Sequence, residues 1–266
     1  MEHGDFRWGC ELSDVLISRG THSSNPFELS IPILSLSPEL LGSNKLPIMG
    51  VSGAGKSTLL NLIAAIEWPH TKAGNICWTF PDGKKISWGL QGPDSGQLKL
   101  LRQKYFGFSF QSSTLIPHLT IEENLSYPLE NCGNSREESR IKALEFLESV
   151  IGSDAITMLQ QYPHQLSGGE KQRVALIQSI VHDPSVLFAD EPTGSLDVNT
   201  RRIVMDVLVR WVDAAPGKRF LIWVTHHDDD PMEHKLERKL SVSDGGCRWQ
   251  LWREQLGEWE NEDALD

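Results

Sequence analysis

Gly50-Val51-Ser52-Gly53-Ala54-Gly55-Lys56-Ser57 fits the pattern G-x-x-x-x-G-K-[ST], and those residue types suit the holding of linked phosphates. Glycine permits backbone angles closed to other residues, so successive N–H groups can turn towards phosphate oxygens. A helix beginning there, with Thr58 in its first turn, presents its positive end to the same anion. Lys56 is placed to reach the terminal phosphates, and the Ser57 hydroxyl to ligate Mg²⁺. A second candidate is Asp190-Glu191, which follows the apolar run Val186 to Ala189. Two carboxylates at the C-terminal end of a strand lie where an open α/β sheet binds ligands. Asp190 there can bind Mg²⁺ through water, and Glu191 can polarise an attacking water. Taken alone, such a pair reads as a solvated loop. The third candidate is His226, at the end of another apolar run, Phe220 to Thr225. A histidine at that place can hydrogen-bond a phosphate oxygen and the attacking water. The neighbouring His227, Asp228, Asp229, Asp230 and His234 suggest a metal cluster. Adjacent histidines do not match the usual ligand spacings, however, and an acidic solvated loop explains the aspartates better.

These residues need elements to position them. Leu46-Pro47-Ile48-Met49 is strand-like and runs into the glycine loop. Leu59 to Ile66 after it suits a buried helix. Strand, glycine loop and helix in that order are what a phosphate site requires. Val186 to Ala189 and Phe220 to Thr225 are continuous apolar runs, as in a parallel sheet covered on both faces. Upstream, Leu12 to Ile17 and Phe27 to Leu36 read as strands separated by turn residues, and Asn75 to Phe80 as another. A helix begins at Ser135, where Glu138 three residues on completes a capping box. Ile141, Leu144, Leu147 and Ile151 then recur along one predicted face. A further helix follows Ser167. The tail from Cys247 is acidic and carries Trp249, Trp252 and Trp259. It reads either as an amphipathic helix packed on the body or as a frayed end.

With 266 residues the chain can bury a full core. Its 25 Lys+Arg against 36 Asp+Glu give a net charge of −11, which argues against a nucleic-acid binder. No run of about 18 apolar residues predicts a membrane span. Residues Met1 to Asp5 lack the basic-then-apolar pattern of a signal peptide. Cys10, Cys77, Cys132 and Cys247 are scattered without a CxxC pair, as expected of reduced thiols in a cytoplasmic chain.

Between the phosphate loop and the carboxylates lies Leu166-Ser167-Gly168-Gly169-Glu170-Lys171-Gln172-Arg173. With this stretch the chain resembles the ABC ATPase family over most of Phe6 to Gly246. The run Ala189 to Asp197 (ADEPTGSLD) and the stretch Leu115 to Leu129 are similar to its lipoprotein-release and macrolide-export branch. The resemblance implies a P-loop NTPase (RecA-like) α/β core with a parallel sheet, an N-terminal antiparallel β-subdomain and an α-helical signature subdomain. It implies one ATPase domain over residues 1–246, with the helical part at about 112–182, and a tail over 247–266. The cofactors implied are ATP and Mg²⁺. In the family, Ser167, Gly168, Gly169 and Glu170 correspond to a helix start that embraces the ATP held by a second subunit, so two subunits sandwich two ATP molecules. Gln111 matches a glutamine that links Mg²⁺ and water to a membrane partner, Asp197 belongs to a dimer-contacting loop, and His226 matches the switch histidine. The expected partners are a membrane permease, touching residues 112–125, and a second copy of this chain. That places the chain on the cytoplasmic face of the inner (plasma) membrane.

Three departures from the family pattern stand out. No aromatic residue follows the first strand near Arg19, where one normally stacks on adenine; Phe27 could replace it, or fill an ordinary core or turn position. Ile177-Gln178-Ser179 stands where Ala-Arg-Ala is usual, which removes a cation. His227 stands where an aspartate often follows the switch histidine. None removes a catalytic group, so an active ATPase is expected. Two functions fit: an engine for a transporter, or an ATPase of a membrane-linked, cell-division-like scaffold that transports nothing. DNA-maintenance and ribosome-associated relatives fit less well, since they need long inserted coiled coils or a second cassette.

Overall fold

The computed structural model describes residues 8–19, 27–70, 74–110, 114–194, 196–227, 233–243, 245–253 and 258–262. The described residues form two sheets. The first is antiparallel, with β1 (Gly9–Arg19) between β2 (Phe27–Leu36) and β4 (Asn75–Thr79), and β5 (Lys85–Trp88) outside β4. The second is built around β3 (Lys45–Met49), β6 (Phe106–Ser109), β7 (Val186–Asp190), β8 (Phe220–Val224) and β9 (Arg238–Ser243). These run parallel in the order β9-β3-β8-β7-β6. All five β8 residues and the first four of β7 are buried. That double-sided cover explains their unbroken apolar sequence.

The tail is neither helix nor frayed end. Residues Gly246–Arg253 form β10 and Glu258–Asn261 form β11, both antiparallel additions to the β9 edge. Trp252 pairs with Trp259 across this hairpin, at 5.3 Å between ring centroids. The Lys239 ammonium lies 4.5 Å from the centre of the Trp259 ring. A cut between residues 246 and 247 therefore falls at the start of a sheet strand. The turn between β9 and β10 ties the two sheets together: Ser30 N–H donates to the Gly245 carbonyl at 2.7 Å.

Trp78, Phe80, Phe106 and Phe188 interlock between the sheets, with Trp78 5.4 Å from Phe106 and Phe106 4.9 Å from Phe188. At one end of this core Asp82 accepts from Lys104 Nζ (2.6 Å) and the Tyr105 hydroxyl (2.8 Å). The Lys104 hydrogen bond does most to hold the Asp82 carboxyl down at about 2.

The helical part comprises α4 (Ile121–Asn131), α5 (Arg136–Ile151), α6 (Ala155–Leu159) and α7 (Gly168–Ile180). Ser135 and Glu138 form the expected capping box on α5. Most of the expected α5 face packs inward: Leu147 is buried, and Leu144 and Ile151 are half-buried against the helical core. Ser139, Ala143 and Leu147 are buried, whereas Ile141 is 53% exposed. Ile141 is left outside because α4, α6 and α7 pack on the Ala143–Leu147 side of the helix. Helix α7 is shared between two cores. Val174, Ala175 and Ile177 pack into the helical cluster, while Leu176 and Ile180 pack with α8 (Val198–Asp213) against the sheet. Among the described residues, no helix is long and apolar enough to cross a membrane.

Candidate functional site

Strand β3 ends at Met49, and helix α2 (Lys56–Ile63) begins at Lys56. Ile66 lies beyond the end of that helix and is 38% exposed. The loop between them closes on neighbours that leave no room for side chains at two glycines. Gly50 has φ +149°, and a Cβ there would sit 2.2 Å from the Val242 carbonyl oxygen of β9. Gly55 has φ +105°, and its Cβ would come within 2.6 Å of the Phe27 ring. Both conformations favour glycine.

The Lys56 side chain is buried, and its ammonium donates to the carbonyls of Gly50 (2.8 Å) and Val51 (3.0 Å). This curls the cation inside its own loop, with no carboxylate among the described residues bonded to it. The Ser57 hydroxyl donates to Asp190 Oδ1 at 3.0 Å, bringing two hard oxygen ligands from distant chain positions together. Burial, the largest influence, raises the Asp190 carboxyl above its ordinary range, and the Ser57 hydrogen bond opposes it. A half-buried carboxylate beside a hydroxyl fits a divalent cation, whose charge would relieve that penalty.

Glu191 follows β7 with φ +47°, the left-handed region, where a non-glycine residue costs about 1–2 kcal/mol. Its N–H bonds the Val224 carbonyl and its own carbonyl accepts from Gly194 N–H, each at 3.1 Å. The strained backbone brings the carboxylate to His226, with Oε2 3.4 Å from Nδ1. Such strain is characteristic of working sites. Phe27, Ser52, Gly53, Gly55, Lys56, Ser57, Thr58, Glu191 and His226 together line a cleft of about 710 Å³. Residues brought together from the three separate motifs thus share one cleft. A positive loop, a helix N-terminus, a hydroxyl–carboxylate pair and a water-directing carboxylate can bind a polyphosphate and hydrolyse it.

Other predicted residues stand apart from this cleft. Ser167 is the N-cap of α7, and its hydroxyl and N–H both bond the Glu170 carboxylate, at 2.6 and 2.8 Å. Gly169 lies against Thr200. Asp197 bonds Thr200 through both carboxylate oxygens, at 3.1 and 2.6 Å, at the start of α8. Gln111, Asp228, Asp229 and Asp230 lie outside the described residues. Among the described residues, no three His, Cys, Asp or Glu side chains gather as a metal cluster.

The contacts of two glutamines of α7 emerge only from the structure. Gln172 is buried and donates to the Pro192 carbonyl at 3.0 Å, next to Glu191. Gln178 joins Thr114 and Asn124. Sequence spacing relates neither glutamine to its partners.

The fold and the cleft are those of a P-loop nucleotide hydrolase, and comparison with known proteins gives the particular family. The family profile described as ABC transporter matches residues 35–194. The lipoprotein-releasing system ATP-binding protein LolD of Aquifex aeolicus is 37% identical over 199 residues, covering 74% of this chain and 81% of LolD. The macrolide export ATP-binding/permease protein MacB of Shigella flexneri is 33% identical over 235 residues, covering 88% of this chain but 33% of MacB. The dimeric structure of MJ0796, a bacterial ABC transporter cassette, superposes with a TM-score of 0.71 at 30% identity, covering 92% of this chain and 99% of the cassette. A post-hydrolysis state of that cassette, bound to ADP and Pi, gives 0.70. The chain belongs to the ABC transporter family and is an ATP-binding subunit of the ABC ATPase type.

Proposed function

We propose that the chain hydrolyses ATP in a site shared between two copies and thereby drives a separate membrane permease. The convergence of Lys56, Ser57–Asp190 and Glu191–His226 on one cleft carries this reading. The N–H groups of Gly50 to Ser57, together with Lys56, bind the phosphates. Ser52, Gly53, Ala54, Gly55 and Thr58 shape that cradle. Ser57 and Asp190, with Gln111 by family resemblance, would hold Mg²⁺. When bound, the ion would supply positive charge that offsets the charge developing on the terminal phosphates. Glu191 orients the attacking water, and His226 holds Glu191 and senses the terminal phosphate. Ser167, Gly168 and Gly169 of the second copy close the site with helix N–H groups, while Glu170 keeps Ser167 in capping geometry. Asp197 stiffens the loop that meets the other copy. Phe27, against Gly55 in the cleft wall, supplies the aromatic surface for adenine.

The permease surface is a groove of about 310 Å³ whose walls include Phe108, Phe110, Thr114 and Tyr127. Phe110 and Tyr127 are 39% and 54% exposed, and apolar surface of that kind marks an interaction site. The groove includes Thr114 and Ile116, and a cytoplasmic segment of the permease would hold the chain at the inner face of the membrane.

The test is Glu191→Gln with ATP, followed by size-exclusion chromatography with light scattering. We expect hydrolysis to fall by at least about a hundredfold, as when a water-positioning group is lost, and dimers to accumulate. Lys56→Ala should bind no ATP and remain monomeric. Brisk hydrolysis by Glu191→Gln would remove Glu191 from its role. Purification from the native host in mild detergent should recover a stoichiometric membrane protein; soluble partners alone would refute the permease.

A further inference from the structure

We infer that Gln178 is a positioning residue that fastens the segment after the Gln111 loop to the signature helix α7, so that the two move together. The need for it begins with Pro128 inside α4. Proline has no N–H, so the Asn124 carbonyl, four residues earlier, loses its helical donor. A buried carbonyl needs a replacement, and Gln178 Nε2 supplies it at 3.0 Å. The same amide lies 3.3 Å from Asn124 Oδ1.

Asn124 is itself completely buried and organises the loop before α4. Its Oδ1 accepts from Ile116 N–H at 2.7 Å. Its Nδ2 lies 3.1 Å from the Ile116 and Leu119 carbonyls and 2.9 Å from that of Thr120. On the other side, Gln178 Oε1 accepts from the Thr114 hydroxyl at 3.1 Å. Gln178 thus uses its donor to hold the loop organiser and its acceptor to hold the first described residue after the Gln111 loop. An arginine or lysine could replace the donor but not the acceptor. The glutamine that interrupts the family pattern therefore makes a contact that a cation cannot make.

The anchor point explains what is transmitted. Helix α7 starts at the signature Ser167 and bonds the Pro192 carbonyl beside Glu191 through Gln172. Gln178 also lies in the wall of the permease groove. Movement of the 114–124 segment is thereby tied to the helix that carries the signature. This inference rests on the shared-site reading above.

The test measures amide hydrogen exchange of the full chain in the Glu191→Gln background, with and without ATP. In the parent, ATP-driven dimerisation should slow exchange both at 168–180 and at 114–124. Adding Gln178→Leu or Thr114→Val should leave the dimer fraction and the slowing at 168–180 intact. The slowing at 114–124 should shrink at least about fivefold, the low end of measured couplings between sites. Gln178→Arg should behave like Thr114→Val, and combining those two should add nothing. Thr114→Val removes one exposed hydroxyl contact, so it reports even if Gln178→Leu fails to fold. Undiminished slowing at 114–124 in Thr114→Val would overturn the inference. Equal losses at both segments would reduce Gln178 to a structural role and overturn it too. Failure of Glu191→Gln to dimerise would instead refute the shared-site reading, and the relay with it.

Discussion

Phe27 lines the cleft from an unexpected strand. It opens β2 opposite Arg19, the last residue of β1, and its ring lies where a Gly55 side chain would otherwise be. Alanine at position 55 would meet both the ring and a disfavoured backbone angle, so ring and glycine constrain each other. Stacking of a base on an aromatic ring is worth about 1–3 kcal/mol when the ring is removed. Phe27→Ala should therefore raise the ATP dissociation constant roughly tenfold, and Phe27→Tyr should restore it. Isothermal titration with ATP and with its triphosphate-only fragment separates base from phosphate binding. Equal weakening of both ligands would mean that Phe27 supports the loop rather than the base. The sequence permitted this role for Phe27 without choosing it over a core position. The proposed stacking role is supported by its place against Gly55 in the cleft wall, set by pairing across two strands.

At the scale of elements, a pattern was legible where a single neighbour dictates it and obscure where several compete. The loop between β3 and α2 could be read directly, because phosphate-binding geometry demands glycines at fixed places. Strands β7 and β8 could be read because both their faces are covered. The capping box at Ser135 is local in sequence and is found where expected, as is the helix after Ser167. Helix α5 is different, because three other helices decide which of its faces is buried. Ile141 suits a helical stripe but faces solvent, while Ala143 and Leu147 do not exceed 0% exposure. Leu147→Ala should accordingly cost about 2–5 kcal/mol, lowering Tm by roughly 5–15 °C. Ile141→Lys should change stability by less than about 0.5 kcal/mol. Differential scanning calorimetry of the two variants checks that Ile141, unlike the other residues of the expected stripe, lies outside the core, and a larger loss at Ile141 than at Leu147 would put it inside. The C-terminal hairpin was obscure for the same reason. Trp252 and Trp259 suit an amphipathic helix equally well until β9 offers an edge to pair with. The left-handed backbone of Glu191 also leaves no mark in sequence, since it is imposed by bonds to Val224 and Gly194.

For the molecule as a whole, the cleft and the signature are physically separate parts of one chain. The cleft wall contains Phe27, the phosphate loop, Glu191 and His226, but none of Ser167 to Glu170. Ser167 and Gly168 instead point their exposed helix start outward. Val51 in the phosphate loop and Val198 just after Asp197 are 74% and 63% exposed. Large apolar side chains beside both halves of the site suit a surface that a second copy covers. If hydrolysis needs that second copy, specific activity must depend on protein concentration. In the dilute range the rate should rise as about the square of concentration, then become linear once dimers dominate. Ser167→Arg provides the complementary measurement, since it blocks the outward face and leaves the cleft untouched. It should bind ATP with the parent's affinity yet lose hydrolysis, and Glu191→Gln/Ser167→Arg should stay monomeric with ATP. A specific activity independent of dilution, together with full hydrolysis by Ser167→Arg, would show that one chain completes its own site. Loss of ATP binding in Ser167→Arg would instead place the signature within its own chain's cleft, against the geometry described here.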